Sequence, residues 1–371
     1  MSTVVQKHDL ATIFRHFDTR ADFVSGQPYG TGHINDTYRI AASQGGHKVL
    51  FTLQHVNTRI FKDGPGLMSN ITRISRHAVT RLRAEGATDA SRRALQVIPA
   101  IDGKPYHMDG AGMLWRMYIF IDGVRTYDTI EQVRHAFEAA RAFGLFQRLL
   151  ADLPGARLNE TIVNFHHTRS RFETFQQAVK QDACGRATAV RREIDFVRAR
   201  EAMCDILLKL MAAGEIPERV THNDTKVNNV LMDEKSDEGM CVIDLDTCMP
   251  GCALYDFGDM VRSATNSVAE DDPDASKVRC QTEIFEALAR GYLGAADFLT
   301  PAERAHLVLG GKLMTFECGI RFLTDYLQGD TYFKIHREGH NLDRCRTQFA
   351  LVKSIEDQND ALQKFVDSVK S

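Results

Sequence analysis

Between residues 9 and 18 the apolar positions Leu10, Ile13, Phe14 and Phe17 fall at helical spacing, and an amphipathic helix is predicted there. The pattern then changes. Residues 23–29, 37–41 and 48–54 are β-branched and aromatic runs separated by glycine-rich turns, one of them Gly45-Gly46, and they predict a meander of antiparallel strands. A helix is predicted over 67–85 and further strands over 95–99, 104–108 and 113–121, the last ending at the turn signal Asp122-Gly123. Beyond that turn the period becomes 3.6. Asp128 and Glu131 have the spacing of a helix start, and Val133, Phe137, Ala140, Phe143 and Leu150 form an apolar stripe. Residues 169–213 are predicted helical up to Gly214. Helices follow at 276–294, 301–327 and 343–368, the second opening with Thr300 as N-cap, Pro301 and a capping Glu303. The turn at 122–123 thus separates a small β-rich part, 1–122, from a larger, mainly helical part, 123–371, and the fold class is α+β.

Composition narrows the partners more than the fold. The chain has 371 residues, 43% hydrophobic and 26% charged, with a formal net charge of −3, so neither nucleic acid nor an anionic membrane surface is expected as a partner. The opening residues lack the apolar core of a secretory leader, and no apolar run approaches the ~20 residues of a membrane span, so a cytoplasmic location is expected. Eight cysteines (184, 204, 241, 248, 252, 280, 318 and 345) show no disulfide-like or CxxC spacing and read as small buried hydrophobes.

The chemistry concentrates between Val220 and Asp246, where two short β-prone segments carry polar groups at their ends. Asp224 can accept a hydrogen bond from an acceptor hydroxyl, Asn229 offers a neutral oxygen and Asp244 a charged one to Mg2+, and Lys226 can offset charge on a transferring phosphoryl group. His222 reads as a support of the loop rather than a reacting group. Each residue alone is ordinary turn chemistry; the ordered set H-x-D-x-x-x-x-N, followed fifteen residues later by an Asp with apolar flanks, is what points to phosphoryl transfer. Gly30, Thr31, Gly32, His33 and Asn35 lie between the first two strands, where two glycines let backbone approach phosphate oxygens or simply make a hairpin. This loop joins two strands, so it is not the dinucleotide fingerprint, and no G-x-x-x-x-G-K-[ST] occurs.

That pattern resembles the catalytic and metal-binding loops of the protein-kinase-like superfamily, and within it the aminoglycoside phosphotransferase group. Thr221 to Leu231, Cys241 to Thr247 with Met249-Pro250-Gly251, Tyr255 to Asp259, and Gly32 to Tyr38 resemble bacterial N-acetylhexosamine 1-kinases. Glu317 to Tyr326 and Gly329 to Phe333 extend the likeness over nearly the whole chain. The resemblance implies a two-lobed fold with a small antiparallel β-rich N-lobe and a larger, mainly helical C-lobe. It implies transfer of the γ-phosphoryl of ATP to the anomeric hydroxyl of N-acetylglucosamine or N-acetylgalactosamine, giving the α-1-phosphate. Asp224 would be the catalytic base, assisted by Lys226, with Asn229 and Asp244 as Mg2+ ligands and Gly30 to Asn35 as phosphate loop. Tyr118 and Phe120 would lie at the adenine-binding hinge, and Arg321, Tyr332 and Trp115 would contact the sugar. Two alternatives stand beside it: a kinase of the same fold acting on an amino alcohol or aminoglycoside, and a catalytically silent ligand-binding protein.

One departure matters. Where a kinase carries a phosphate-binding Lys the strand reads Leu53-Gln54-His55, so either the missing charge comes from Mg2+, Lys226 or an arginine of the basic helix, Arg73, Arg76, Arg81 or Arg83, or nucleotide binding is weak. Two further sets have two readings each. Glu317, Arg321 and Asp325 share one helix face, either as a salt-bridged ladder or as a sugar-binding surface. Asp256 and Asp259 either cap a helix or brace the catalytic loop.

Overall fold

The computed structural model describes residues 8–30 and 34–370. The chain forms two compact units. The first comprises the chain up to Val124 together with Asp152–Ile162 and Cys241–Cys248; the second comprises Arg125–Ala151, Val163–Met240 and Met249–Ser371. No helix among the described residues is long and apolar enough to cross a membrane.

In the first unit, α1 (Leu10–Phe14) precedes β1 (Asp22–Pro28), β2 (Asp36–Gln44) and β3 (His47–Val56), followed by α2 (Gly64–Ala84), α3 (Ala90–Arg93), β4 (Val97–Ile98), β5 (His107–Met108) and β6 (Leu114–Ile119). The sheet order is β1-β2-β3-β6-β4, with β5 also on β6, and the pairings are antiparallel. Because side chains alternate between faces, one face sends Ile40, Leu53 and Met117 into a core completed by Leu10 and Phe14 of α1. The α2 helix holds the two inserted segments. Arg73 donates to the carbonyls of Pro154 and Ala156, and Arg81 pairs with Asp152. Asn70, fully buried, donates to the carbonyls of Asn159 and Cys248. Arg73 and Arg81 are therefore tethers, which removes them as sources of phosphate-binding charge.

β7 (Val124–Arg125) and β10 (Gly239–Val242) fall where the chain passes from one unit to the other, and the second unit holds α4 (Val133–Leu150), α5 (Thr168–Gln181), α6 (Arg191–Arg198), α7 (Ile206–Ala212), β8 (Arg219–Thr221), β9 (Val230–Asp233) and β11 (Met249–Gly251). The helices α8 (Ala253–Ala264), α9 (Thr282–Ala295), α10 (Pro301–Ala305), α11 (Leu307–Leu327), α12 (His340–Asp357) and α13 (Asn359–Ser368) complete it. α4 packs on α9, and α11 packs on α8 and α12. The α8–α11 approach depends on glycine: a Cβ on Gly258 would lie 2.3 Å from the Gly310 carbonyl oxygen, and one on Gly310 would lie 2.6 Å from that of Leu254. Backbones this close leave room for no side chain.

Several predicted helices begin late or break. α4 starts at Val133 without a side-chain cap, because Arg125 and Tyr127 are both tied to Asp237 and hold the preceding segment out of the helix. The predicted 169–213 helix ends its first segment at Asp182, whose left-handed φ of 40° no helix continues through. His306 and Gln358 divide the other two long predictions, while the Thr300–Glu303 capping box forms as expected.

Candidate active site

In the second unit β8 pairs with β11, and the chain turns through His222–Lys226 into a single 3-10 turn, Val227–Asn229, before β9. The turn requires a left-handed Asn223, φ 65°. That conformation costs a non-glycine residue energy unless its surroundings enforce it. Here they do. The Asp256 carboxylate on α8 accepts from the backbone N–H groups of His222 (2.8 Å) and Asn223 (2.7 Å), and Asp259, one turn on, accepts from that of Thr225 (2.9 Å). The Thr225 hydroxyl donates to the Asp256 carbonyl at 2.6 Å. Both acids therefore brace the loop from within the helix rather than cap it. Burial pushes Asp256 up to about 6 despite these donors, whereas Asp259, also buried, ends below the ordinary range because Arg262 and Lys226 outweigh the burial. His222 is fully buried against Phe143 and Phe146, and its Nδ1 accepts from the Asp224 N–H at 3.3 Å, a supporting position.

The loop presents Asp224 with two partners. Lys226 Nζ lies 2.9 Å from Asp224 Oδ1, and Asn229 Nδ2 donates to Oδ2 at 3.1 Å and to the Asp224 carbonyl at 2.8 Å. The charge of Asp224 raises the pKa of Lys226, so the lysine stays cationic. With its amide nitrogen spent on Asp224, Asn229 has its side-chain oxygen to offer a cation.

A second cluster joins this loop from α11. His166 Nε2 faces the Asn223 carbonyl at 3.0 Å and Nδ1 faces Glu317 Oε1 at 2.8 Å, so the imidazole bridges the loop backbone and the α11 carboxylate. Burial would push Glu317 up, but hydrogen bonds from His166 and Thr168 outweigh it and leave the carboxyl below its ordinary range. One turn on, the Arg321 guanidinium lies 5.5 Å from the ring centroids of both Phe165 and Phe333. Asp325 accepts from the N–H groups of Thr331, Tyr332 and Phe333 and from Asn341, fixing the turn that leaves Tyr332 70% exposed. The three residues thus reach separate partners, and no ladder forms. Arg171 packs nearby: its Nη2 donates to the Phe165 carbonyl, and burial, then the charge of Arg321, make it less basic.

In the first unit the row Thr37, Gln54, Arg116 runs across β2, β3 and β6 as register partners. Gln54 donates to the Thr37 hydroxyl at 2.9 Å and accepts from Arg116 Nε at 2.8 Å. Arg116, only 1% exposed, grips Asp246 with both terminal nitrogens, Nη2 to Oδ2 at 3.0 Å, and its pKa is raised because this pairing outweighs the desolvation. Asn35 donates to the same Asp246 at 2.6 Å while accepting from the Asn57 N–H. The cation beside Gln54 is therefore an arginine from the neighbouring strand, which the sequence pattern read only as part of an apolar run. Asp244 stands two residues before Asp246, left-handed at φ 59°, at the entry to the 3-10 turn Leu245–Thr247.

The other positions divide. Gly30 is left-handed at φ 81°, whereas Thr31, Gly32 and His33 lie outside the described residues. Tyr118 is buried with its ring 5.4 Å from the Arg116 guanidinium carbon, and Phe120 packs on Tyr29 with its N–H bound to the Leu50 carbonyl. Trp115 is a correction. Its side chain is fully buried and its indole N–H donates to Asp109, so it is a core residue with no surface for a sugar.

Solved structures of low sequence identity share the fold. An aminoglycoside phosphotransferase from Alicyclobacillus acidocaldarius matches with a TM-score of 0.63 at 11% identity, over 99% of this chain and 98% of that one. A microcompartment-associated aminopropanol kinase matches with a TM-score of 0.55 at 15% identity, over 95% and 97%. A choline kinase from Cryptosporidium parvum Iowa II matches with a TM-score of 0.54 at 13% identity, over 96% and 98%. The family model described as the phosphotransferase enzyme family matches residues 25–305, a span that takes in β2, β3, β6, the Asp224 loop and the Asp244 turn, and the chain belongs to that family.

Proposed function

We propose that this phosphotransferase is a sugar kinase that moves the γ-phosphoryl of ATP to the anomeric hydroxyl of an N-acetylhexosamine. The observation that carries the kinase reading is the placement of Asp224 between Lys226 and Asn229 in a loop that two buried acids of α8 hold in a left-handed turn. A substrate hydroxyl presented to Asp224 gives up its proton to the carboxylate as its oxygen bonds to the γ-phosphorus, and the bond from phosphorus to the bridging oxygen of ADP breaks. Lys226, already cationic beside Asp224, offsets charge on the moving group. Asn229 in the second unit and Asp244 in the first each carry a hard oxygen donor of the kind that suits Mg2+, which when bound would neutralise phosphate charge. At the hinge strand the Phe120 N–H is engaged by Leu50, so adenine would meet its carbonyl.

The sugar reading rests on charge. An amino alcohol or aminoglycoside is cationic and calls for uncommitted carboxylates. Here Glu317 is spent on His166 and Thr168, and Asp325 on three amides and Asn341, while Arg321 adds positive charge one helical turn from Glu317 and Arg171 of α5 adds more beside it. A neutral hexosamine with an N-acetyl carbonyl fits that surface. The test is an ATP-consumption screen over free sugars, amino alcohols and aminoglycosides, with phosphorus NMR of the product. Turnover with N-acetylhexosamines and an anomeric phosphate is expected; turnover confined to the cationic acceptors, or a phosphate on a primary hydroxyl, overturns the proposal.

A further inference from the structure

On the opposite face of the same sheet a second row crosses β2, β3 and β6: Asp36 and His55 are register partners, and His55 faces Trp115 in turn. Directly opposed residues on paired strands hold their Cβ atoms about 4.5–5.5 Å apart on one face, so the ladder itself brings the carboxylate and the imidazole together. His8, which stands just before α1 and belongs to no strand, lies over them with its side chain 10% exposed. Its Nε2 is buried and makes no hydrogen bond. One ligand atom from each of His8, Asp36 and His55 lies within 4.8 Å of the others.

The spacing suits a shared cation as well as the hydrogen bond that His55 and Asp36 make in its absence. His55 Nδ1 is 3.2 Å and His8 Nε2 is 3.5 Å from the same Asp36 Oδ2. Charge-assisted N–H···O contacts are shorter, about 2.7–2.9 Å. Four ligands at the zinc bond lengths of about 2.0–2.2 Å stand roughly 3.3 Å from one another in a tetrahedron, between the two observed values. The imidazoles are also held: Trp115 meets the His8 ring edge-on at 4.9 Å and the His55 ring at 5.3 Å, fixing ring orientation as the surroundings of a metal site must.

We propose that His8, Asp36 and His55 supply two imidazoles and one carboxylate to a zinc site. Zinc there ties the segment before α1 to the start of β2, one residue beyond Asn35, the donor to Asp246. The site is independent of the kinase reading, because it faces away from the Gln54–Arg116 row and uses none of the residues placed in phosphoryl transfer.

The test is zinc titration of the chelator-treated full chain without nucleotide, in competition with a chromogenic chelator, on a Cys184→Ser background because Cys184 is the exposed thiol. One zinc per chain is expected. His8→Gln, which leaves the strand pairing untouched, and His55→Ala should each weaken binding by at least about 100-fold. Cobalt in place of zinc should give visible d–d bands without thiolate-to-metal charge transfer. Absence of stoichiometric binding, equal affinity in His8→Gln, or a thiolate charge-transfer band overturns the assignment.

Discussion

Replacing Arg116 by methionine removes the cation from a carboxylate that is 2% exposed. Asp246 would keep the Asn35 amide at 2.6 Å and lose both guanidinium nitrogens, and Gln54 would lose its donor at 2.8 Å. Breaking one side of a buried ion pair costs about 3–5 kcal/mol, whereas replacing both sides by apolar groups of similar size is often close to neutral. Arg116→Met should therefore destabilise the first unit by about 3–5 kcal/mol, and Arg116→Met with Asp246→Leu should recover most of that loss. The single tryptophan, Trp115, lies in this sheet, so urea unfolding followed by its fluorescence reports the relevant unit. Activity should separate from stability. Asp246 anchors Asn35 and lies in the turn entered by Asp244, and small misplacements of reacting groups cost up to about 100-fold in rate. The double variant should thus remain about 10- to 100-fold below wild type in kcat although its fold is restored. A loss under about 1 kcal/mol in Arg116→Met, or full kcat in the double variant, would refute the reasoning.

Three further outcomes follow from the second unit. Asp256 is pushed up to about 6 by burial, so folding takes up a proton between its ordinary range and that value. Its contribution therefore favours the fold at low pH and is withdrawn as pH rises through about 6. Relative to Asp256→Asn, the wild type should lose about 2–3 kcal/mol between pH 4 and pH 7 by urea unfolding, and a pH-independent difference would contradict this. Arg321→Ala should raise the sugar KM at least about 10-fold, the loss of one hydrogen bond to a charged group, and leave the ATP KM unchanged; equal effects on both would remove Arg321 from the acceptor site. Gly310→Ala, whose Cβ would meet the Leu254 carbonyl oxygen at 2.6 Å, should cost at least about 2 kcal/mol in thermal or urea unfolding.

Local pattern carried the fold and the loop but not the cross-chain partners. The β2–β3 hairpin, α2 and the capping box at Thr300 are written in short-range periodicity and turn chemistry, and each forms where that pattern places it. Arg116 was hidden because a lone cation in Leu114–Ile121 reads as an interruption; only the pairing of β3 with β6, 62 residues apart, sets it beside Gln54. His166 and Glu317 are 151 residues apart and carry no shared motif. Trp115 was misread for a related reason: strand alternation gives a side chain's face but not what covers it, and here α1, His8 and Asp109 do. The break at Asp182 had a local signal in Asp182-Ala-Cys-Gly185, which apolar periodicity on either side outweighed.

The central claim is that Asp224 takes the acceptor proton in a loop whose geometry does not depend on its charge, since Asp256 and Asp259 hold the backbone. Steady-state kinetics of Asp224→Asn with N-acetylhexosamine and Mg-ATP tests it most directly. A fall in kcat of at least about 100-fold with little change in the ATP KM is the predicted result, and near-normal turnover in that variant would contradict the account.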